Sequence, residues 1–150
     1  MDEWENLFRF FFCGVKMKYI TSLMINEYGL KDLGHDFMGY SLQKGDIYTY
    51  HHLIVPKRNG GLITVQNGAI LCGKTAHPYL HLIENYDYDR FLAITSEMID
   101  QNIKGYLDPE NILYIYDILE SFEREYSGKR NKKGKEITKP EYTLRYIKKE

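Results

Sequence analysis

The chain has 150 residues, 43% of them hydrophobic and 27% charged, which is one domain's worth of material and enough to bury about two-thirds of its unfolded surface without covalent staples. Cys13 and Cys72 form no CxxC pair and are too few for a disulfide framework, so the expected compartment is the reducing cytoplasm. The formal net charge of −1 is unevenly spread: residues 128–150 carry nine Lys/Arg against three Glu, a net +6, leaving −7 on residues 1–127.

Residues Met1 to Glu5 are acidic where a signal peptide would be basic, and the apolar stretch from Leu7 to Val15 is broken by Arg9 and too short to cross a bilayer. No membrane association is therefore expected, and Met17 is an alternative start just ahead of the first amphipathic pattern. Ile20, Leu23, Met24 and Tyr28 recur at helical spacing and predict a helix over 18–28 that stops at Gly29. A Gly-punctuated stretch follows. It leads into Asp46-Ile47-Tyr48-Thr49-Tyr50, a β-branched and aromatic run that reads as a strand with His51 and His52 at its end. Pro56 to Gly61 is rich in turn formers, and Gly68 to Cys72 is an apolar run of strand length. A helix is expected from about Thr75, with Pro78 tolerated in its first turn. Phe91, Met98, Ile99 and Ile103 predict a further helix up to Gly105; Asp108 as N-cap and Pro109 open the last, with Ile112, Ile115, Tyr116, Leu119 and Phe122 as its apolar stripe.

Four of the five histidines fall in this middle region: His51-His52 on the first strand, then His77 and His81 on the helix. The last two are four residues apart, so both rings share one helix face and can converge on one ion. An ion that polarises a phosphodiester needs a few neutral donors and open positions for water and substrate, and three imidazoles meet that requirement. Strand alternation turns His52 away from the face of His51 unless the strand end is bent, leaving it free to serve as a base near neutral pH. Asn67 follows His52 by 15 residues, room for a loop between the two strands.

In this order, His51-His52, the loop with Pro56 and Gly60-Gly61, Asn67, the Ala69-Ile70-Leu71 strand and His77-xxx-His81 resemble the HNH nuclease family, and most of all the three-histidine site of the colicin-type DNases. The resemblance covers about Tyr48 to Glu84. It implies an α+β fold with a ββα-metal core at about 46–88, flanked by N- and C-terminal helices in a single domain over 1–127, followed by a basic tail over 128–150. It further implies that His51, His77 and His81 hold one divalent ion (Mg²⁺, Mn²⁺, Ni²⁺ or Zn²⁺), that His52 activates the attacking water, and that Asn67 ties the loop and positions that base. DNA is the implied substrate, with RNA left open. The CxxC pairs that hold a structural zinc in many family members are absent, so packing from the flanking helices must support the core.

Lys57, Arg58 and Lys74 flank these residues as candidate phosphate contacts, and Tyr142 and Tyr146 lie among tail lysines where rings can stack on bases. Glu84 and Asp46 are candidate hydrogen-bond partners for a ligating imidazole; His35, outside the cluster, reads as structural. Two other readings stand beside the nuclease: a non-catalytic metal-stabilised module that binds nucleic acid or protein, and a nucleotide site, because Gly68 to Thr75 matches G-x-x-x-x-G-K-[ST]. Against the latter, Ala69, Ile70, Leu71 and Cys72 are the residues of a buried strand rather than of a loop wrapped round phosphate.

Overall fold

The computed structural model describes residues 19–140. The readings that concern residues 1–16, Cys13, Met17, Tyr142 and Tyr146 lie outside that range. Among the described residues the fold is mixed α+β, with five α-helices and one two-stranded antiparallel sheet. In chain order these are α1 (19–28), the single-turn α2 (Leu30–Leu33), β1 (Tyr48–His52), β2 (Gly68–Cys72), α3 (Ala76–Tyr86), α4 (Tyr88–Lys104) and α5 (Pro109–Tyr126). No helix among them is long and apolar enough to cross a membrane.

Helix α1 stops where expected, because Gly29 takes the left-handed conformation (φ 61°) that lets a chain leave a helix at low cost. The short α2 has no counterpart in the sequence pattern, four residues being too few to carry a periodic signal. Strand β1 begins two residues later than the pattern suggests and contains both histidines, with His51 opposite Ala69 and His52 opposite Gly68. Every residue of β2 is buried, since this strand pairs with β1 and also packs against both α3 and α4. That explains its unbroken apolar composition: a strand covered on both faces has no side to turn toward water. The stretch from Gly68 to Cys72 is thus extended and engaged in the ladder, not wound as a phosphate-binding loop.

Helix α4 runs between α3 and α5, burying Phe91, Ile94, Thr95, Met98 and Gln101. Ile103, expected on its core face, is 78% exposed; the buried stripe has rotated past it by the last turn. Asp108 caps α5 by accepting a hydrogen bond from the Glu110 amide (3.0 Å), and Ile112, Ile115, Leu119 and Phe122 form the buried face.

Two amides on α4 fasten the hairpin and the segment before it to this helical layer. Asn102 Nδ2 donates to the carbonyls of Val65 (2.8 Å) and Gly68 (2.6 Å), and Gln101 Nε2 donates to that of Phe37 (2.9 Å). Buried Asp36 closes the other side, its carboxylate accepting from the amides of Met38, Tyr40 and Cys72 at 2.8–3.0 Å. His35, fully buried and bridged to Ser41, is structural as expected.

Candidate metal centre

Strand β1 and helix α3 bring three imidazoles to one point. His51, His77 and His81 each offer a nitrogen, and these nitrogens all lie within 4.8 Å of one another. His77 Nε2 is 3.3 Å from His51 Nδ1 and 3.0 Å from His81 Nε2. Nitrogens bonded to one tetrahedral ion at about 2.05 Å are separated by about 3.3 Å, so the spacing fits a shared cation.

Hydrogen bonds on the far side of two rings fix which nitrogen is free. Thr49 Oγ1 donates its only proton to the Leu71 carbonyl (3.0 Å), so at 2.8 Å from His77 Nδ1 it can only accept. His77 therefore carries its proton on Nδ1 and presents a lone pair at Nε2. His81 Nδ1 lies 3.2 Å from the Glu84 carboxylate, which also accepts, so its Nε2 lone pair is free as well. The two Nε2 atoms face each other at 3.0 Å, close enough for a single shared cation to lie between them.

Burial, and then the neighbouring histidines, push His51 down to about 3 and His77 down to about 4, so both are neutral at physiological pH, the state in which imidazole binds metal. The site is graded in exposure. His51 is 6% exposed and packs edge-on to Phe91 (6.2 Å between ring centres), whereas the His81 side chain is 48% exposed. One wall is closed and the other open to solvent.

His52 stands on the opposite face of β1, edge-on to Tyr50 at 4.9 Å, as strand alternation requires. It is still near enough for its charge to be felt by His51 and His77, whose values it helps to lower. The Gly61 backbone accepts a hydrogen bond from its ring, and burial followed by the Lys57 charge holds it below the ordinary histidine value. Its Nε2 is buried with no hydrogen-bond partner, so the bond to Gly61 falls on Nδ1 and Nε2 keeps its lone pair.

The loop that carries Gly61 is pinned by Asn67. Its Oδ1 accepts from the amides of Ile54 (3.0 Å) and Val55 (2.9 Å), and its Nδ2 donates to the carbonyls of Val55 (3.0 Å) and Leu62 (3.1 Å). The Asn67 amide is thus fully engaged with the backbone of the loop. Tyr50 adds a second tie, its hydroxyl accepting from the Thr64 amide (3.0 Å) and donating to the Thr64 carbonyl (2.7 Å). Asn67→Ala leaves the part-buried amides of Ile54 and Val55 without their partner and is expected to cost about 1–3 kcal/mol, since water can reach both in part; a chemical melt with unchanged m-value checks this.

Of the two carboxylates proposed as imidazole partners, Glu84 takes the role and Asp46 does not: its Oδ2 accepts from the Gln43 amide (2.6 Å) within a local turn. The partner missed by sequence reasoning is Thr49. Its signal was present, because a polar residue two before His51 on a strand must share that residue's face. Lys57, Arg58 and Lys74 are all exposed, the first two on a short 3₁₀ turn, Lys57–Asn59, within the loop. Compared with known proteins, the chain matches no family model, no curated protein and no solved structure.

Proposed function

We propose that the chain is a metal-dependent endonuclease of the HNH kind that hydrolyses phosphodiester bonds in DNA. The observation that carries the reading is the convergence of nitrogens from His51, His77 and His81 to within 4.8 Å of one another, beside a fourth histidine whose own Nε2 is unpartnered. The hairpin, its Asn67-stapled loop and the helix that follows have the order expected of a ββα-metal core.

His51, His77 and His81 would hold the ion, and three neutral nitrogen donors favour a first-row transition ion such as Zn²⁺, Ni²⁺ or Mn²⁺ over Mg²⁺. Such an ion supplies Lewis acidity toward the scissile phosphate and its leaving oxygen. His52 takes the proton from the attacking water at Nε2, since its Nδ1 proton is committed to Gly61 and its lowered pKa keeps it neutral. Glu84 and Thr49 hold His81 and His77 in the tautomers that bind. Lys57, Arg58 and Lys74 meet neighbouring phosphates and fix position without reading bases.

Purified protein incubated with supercoiled plasmid should nick or linearise it in Ni²⁺, Mn²⁺ or Zn²⁺. EDTA and His77→Ala should each remove the activity, and a parallel RNA substrate ranks the two nucleic acids. Stoichiometric metal uptake that leaves every nucleic acid intact would show a non-catalytic metal-stabilised module instead.

A further inference from the structure

Residues 129–137, in the basic segment after α5, form a closed turn. Ile137 N donates to the Lys129 carbonyl and Asn131 N to that of Lys135, both at 2.8 Å, and Arg130 bridges Glu136 in antiparallel fashion. Asn131 closes the tip, its Oδ1 accepting from the amides of Lys133 (2.9 Å) and Lys135 (3.0 Å), and Gly134 supplies the left-handed residue the turn needs (φ 79°). The base is pinned by buried Ile137, by Lys139 paired with Glu120 and Glu123, and by the Lys129 ammonium 4.8 Å above the Tyr126 ring. Five cations thus stand within seven residues on a body of net −7. Among the described residues Lys132, Lys133 and Lys135 are exposed and have no carboxylate partner.

This turn adjoins the metal helix. Tyr126 OH is 3.3 Å from the Tyr86 carbonyl and the two rings are 5.8 Å apart. Tyr86 ends α3 five residues after His81, about 7.5 Å along the helix axis at 1.5 Å per residue. The same five residues also turn about 140° round the axis, so the turn adjoins the C-terminal end of α3, about two duplex base-pair rises from His81 along the helix.

We infer that residues 129–135 form a preorganised anchor for the phosphate backbone of double-stranded DNA, set at the end of the helix that carries His77 and His81 and indifferent to base sequence. The inference rests on the reading of that cluster as a DNA-cleaving site. A turn folded before the encounter loses less entropy on binding than a disordered tail of equal charge, and each phosphate it neutralises releases counterions.

The test is the binding of the full chain to a short duplex in EDTA, followed by fluorescence anisotropy across a salt series. A variant combining Lys132→Gln, Lys133→Gln and Lys135→Gln should melt like the parent and bind at least about tenfold more weakly at low salt. Its slope of log K against log salt should be shallower by about 0.9 for each phosphate that is no longer neutralised. Asn131→Ala keeps every charge and should still weaken binding about threefold. An unchanged slope in the triple variant overturns the anchor; an unchanged Asn131→Ala affinity overturns its preorganisation. Binding to phosphatidylserine vesicles that falls while DNA binding does not would assign the turn to a lipid surface instead. Intact DNA in all metals with the predicted slope change would leave the anchor standing and remove the nuclease, whereas cleavage with no slope change would do the reverse.

Discussion

His52→Ala protein is expected to keep its metal affinity and cut plasmid about 10²–10⁴-fold more slowly, the usual contribution of a positioned general base. The separation of binding from chemistry follows from the hairpin's geometry. His52 lies on the face of β1 shared with Tyr50, while His51 shares the other with Thr49, so removing the His52 ring leaves the three donors and their tautomer partners in place. What disappears is a neutral imidazole whose Nδ1 is occupied and whose Nε2 is free. Calorimetric metal titration and a melt within a few degrees of the parent establish that only chemistry has changed. Cleavage at the parental rate by this variant would remove His52 from the mechanism and leave the metal centre untouched.

The second large effect concerns acid. Unfolded, His51 and His77 take up protons near 6.5; folded, they do so only near 3 and 4, because burial and mutual proximity disfavour the charged rings. Between those limits the unfolded chain holds more protons, so the stability of the metal-free protein is full above about pH 6.5 and is lost as pH falls toward 4. Asp36 acts in the opposite sense. Burial raises its carboxyl to about 7 against the pull of its backbone donors, so the folded state gains a proton there as pH falls through 7. Two histidines against one aspartate leave a net difference of about one proton, or about 1.4 kcal/mol per pH unit near pH 5. Melts in EDTA from about pH 4 to pH 8 should show this decline, and Asp36→Asn should steepen it. Saturating ion, at about a hundred times its dissociation constant, adds about 2.7 kcal/mol near neutral pH, a gain that shrinks in acid as protons compete for the ring nitrogens. A stability that saturating ion leaves unchanged at neutral pH would mean that the three rings do not share the ion.

Much of the centre is legible in the chain because its determinants are local. The four-residue interval between His77 and His81 dictates a common helix face, and the apolar run from Gly68 to Cys72 identifies a strand covered on both sides. Asn67 is legible as the loop's tie through the family resemblance, though its four partners are backbone groups that no side-chain pattern encodes. The supports that escape sequence reasoning are long-range: Asn102 reaches the Val65 and Gly68 carbonyls, and Asp36 reaches the Cys72 amide, each across more than thirty residues. The composition of the basic segment favours water and suggests a solvated tail; among the described residues Lys129 and Lys139 return it to α5, and Ile137 is buried.

Gly68 has a consequence for how such a chain can change over time. A Cβ at this position would overlap the Tyr50 ring, whose hydroxyl holds Thr64, and the same loop presents Gly61 to His52. Positions 50 and 68 are therefore free to drift only as a couple: enlarging the glycine displaces the phenol, and the imidazole across the loop loses its orientation with it. Lineages descended from this hairpin are held to a narrow choice at its least conspicuous residue.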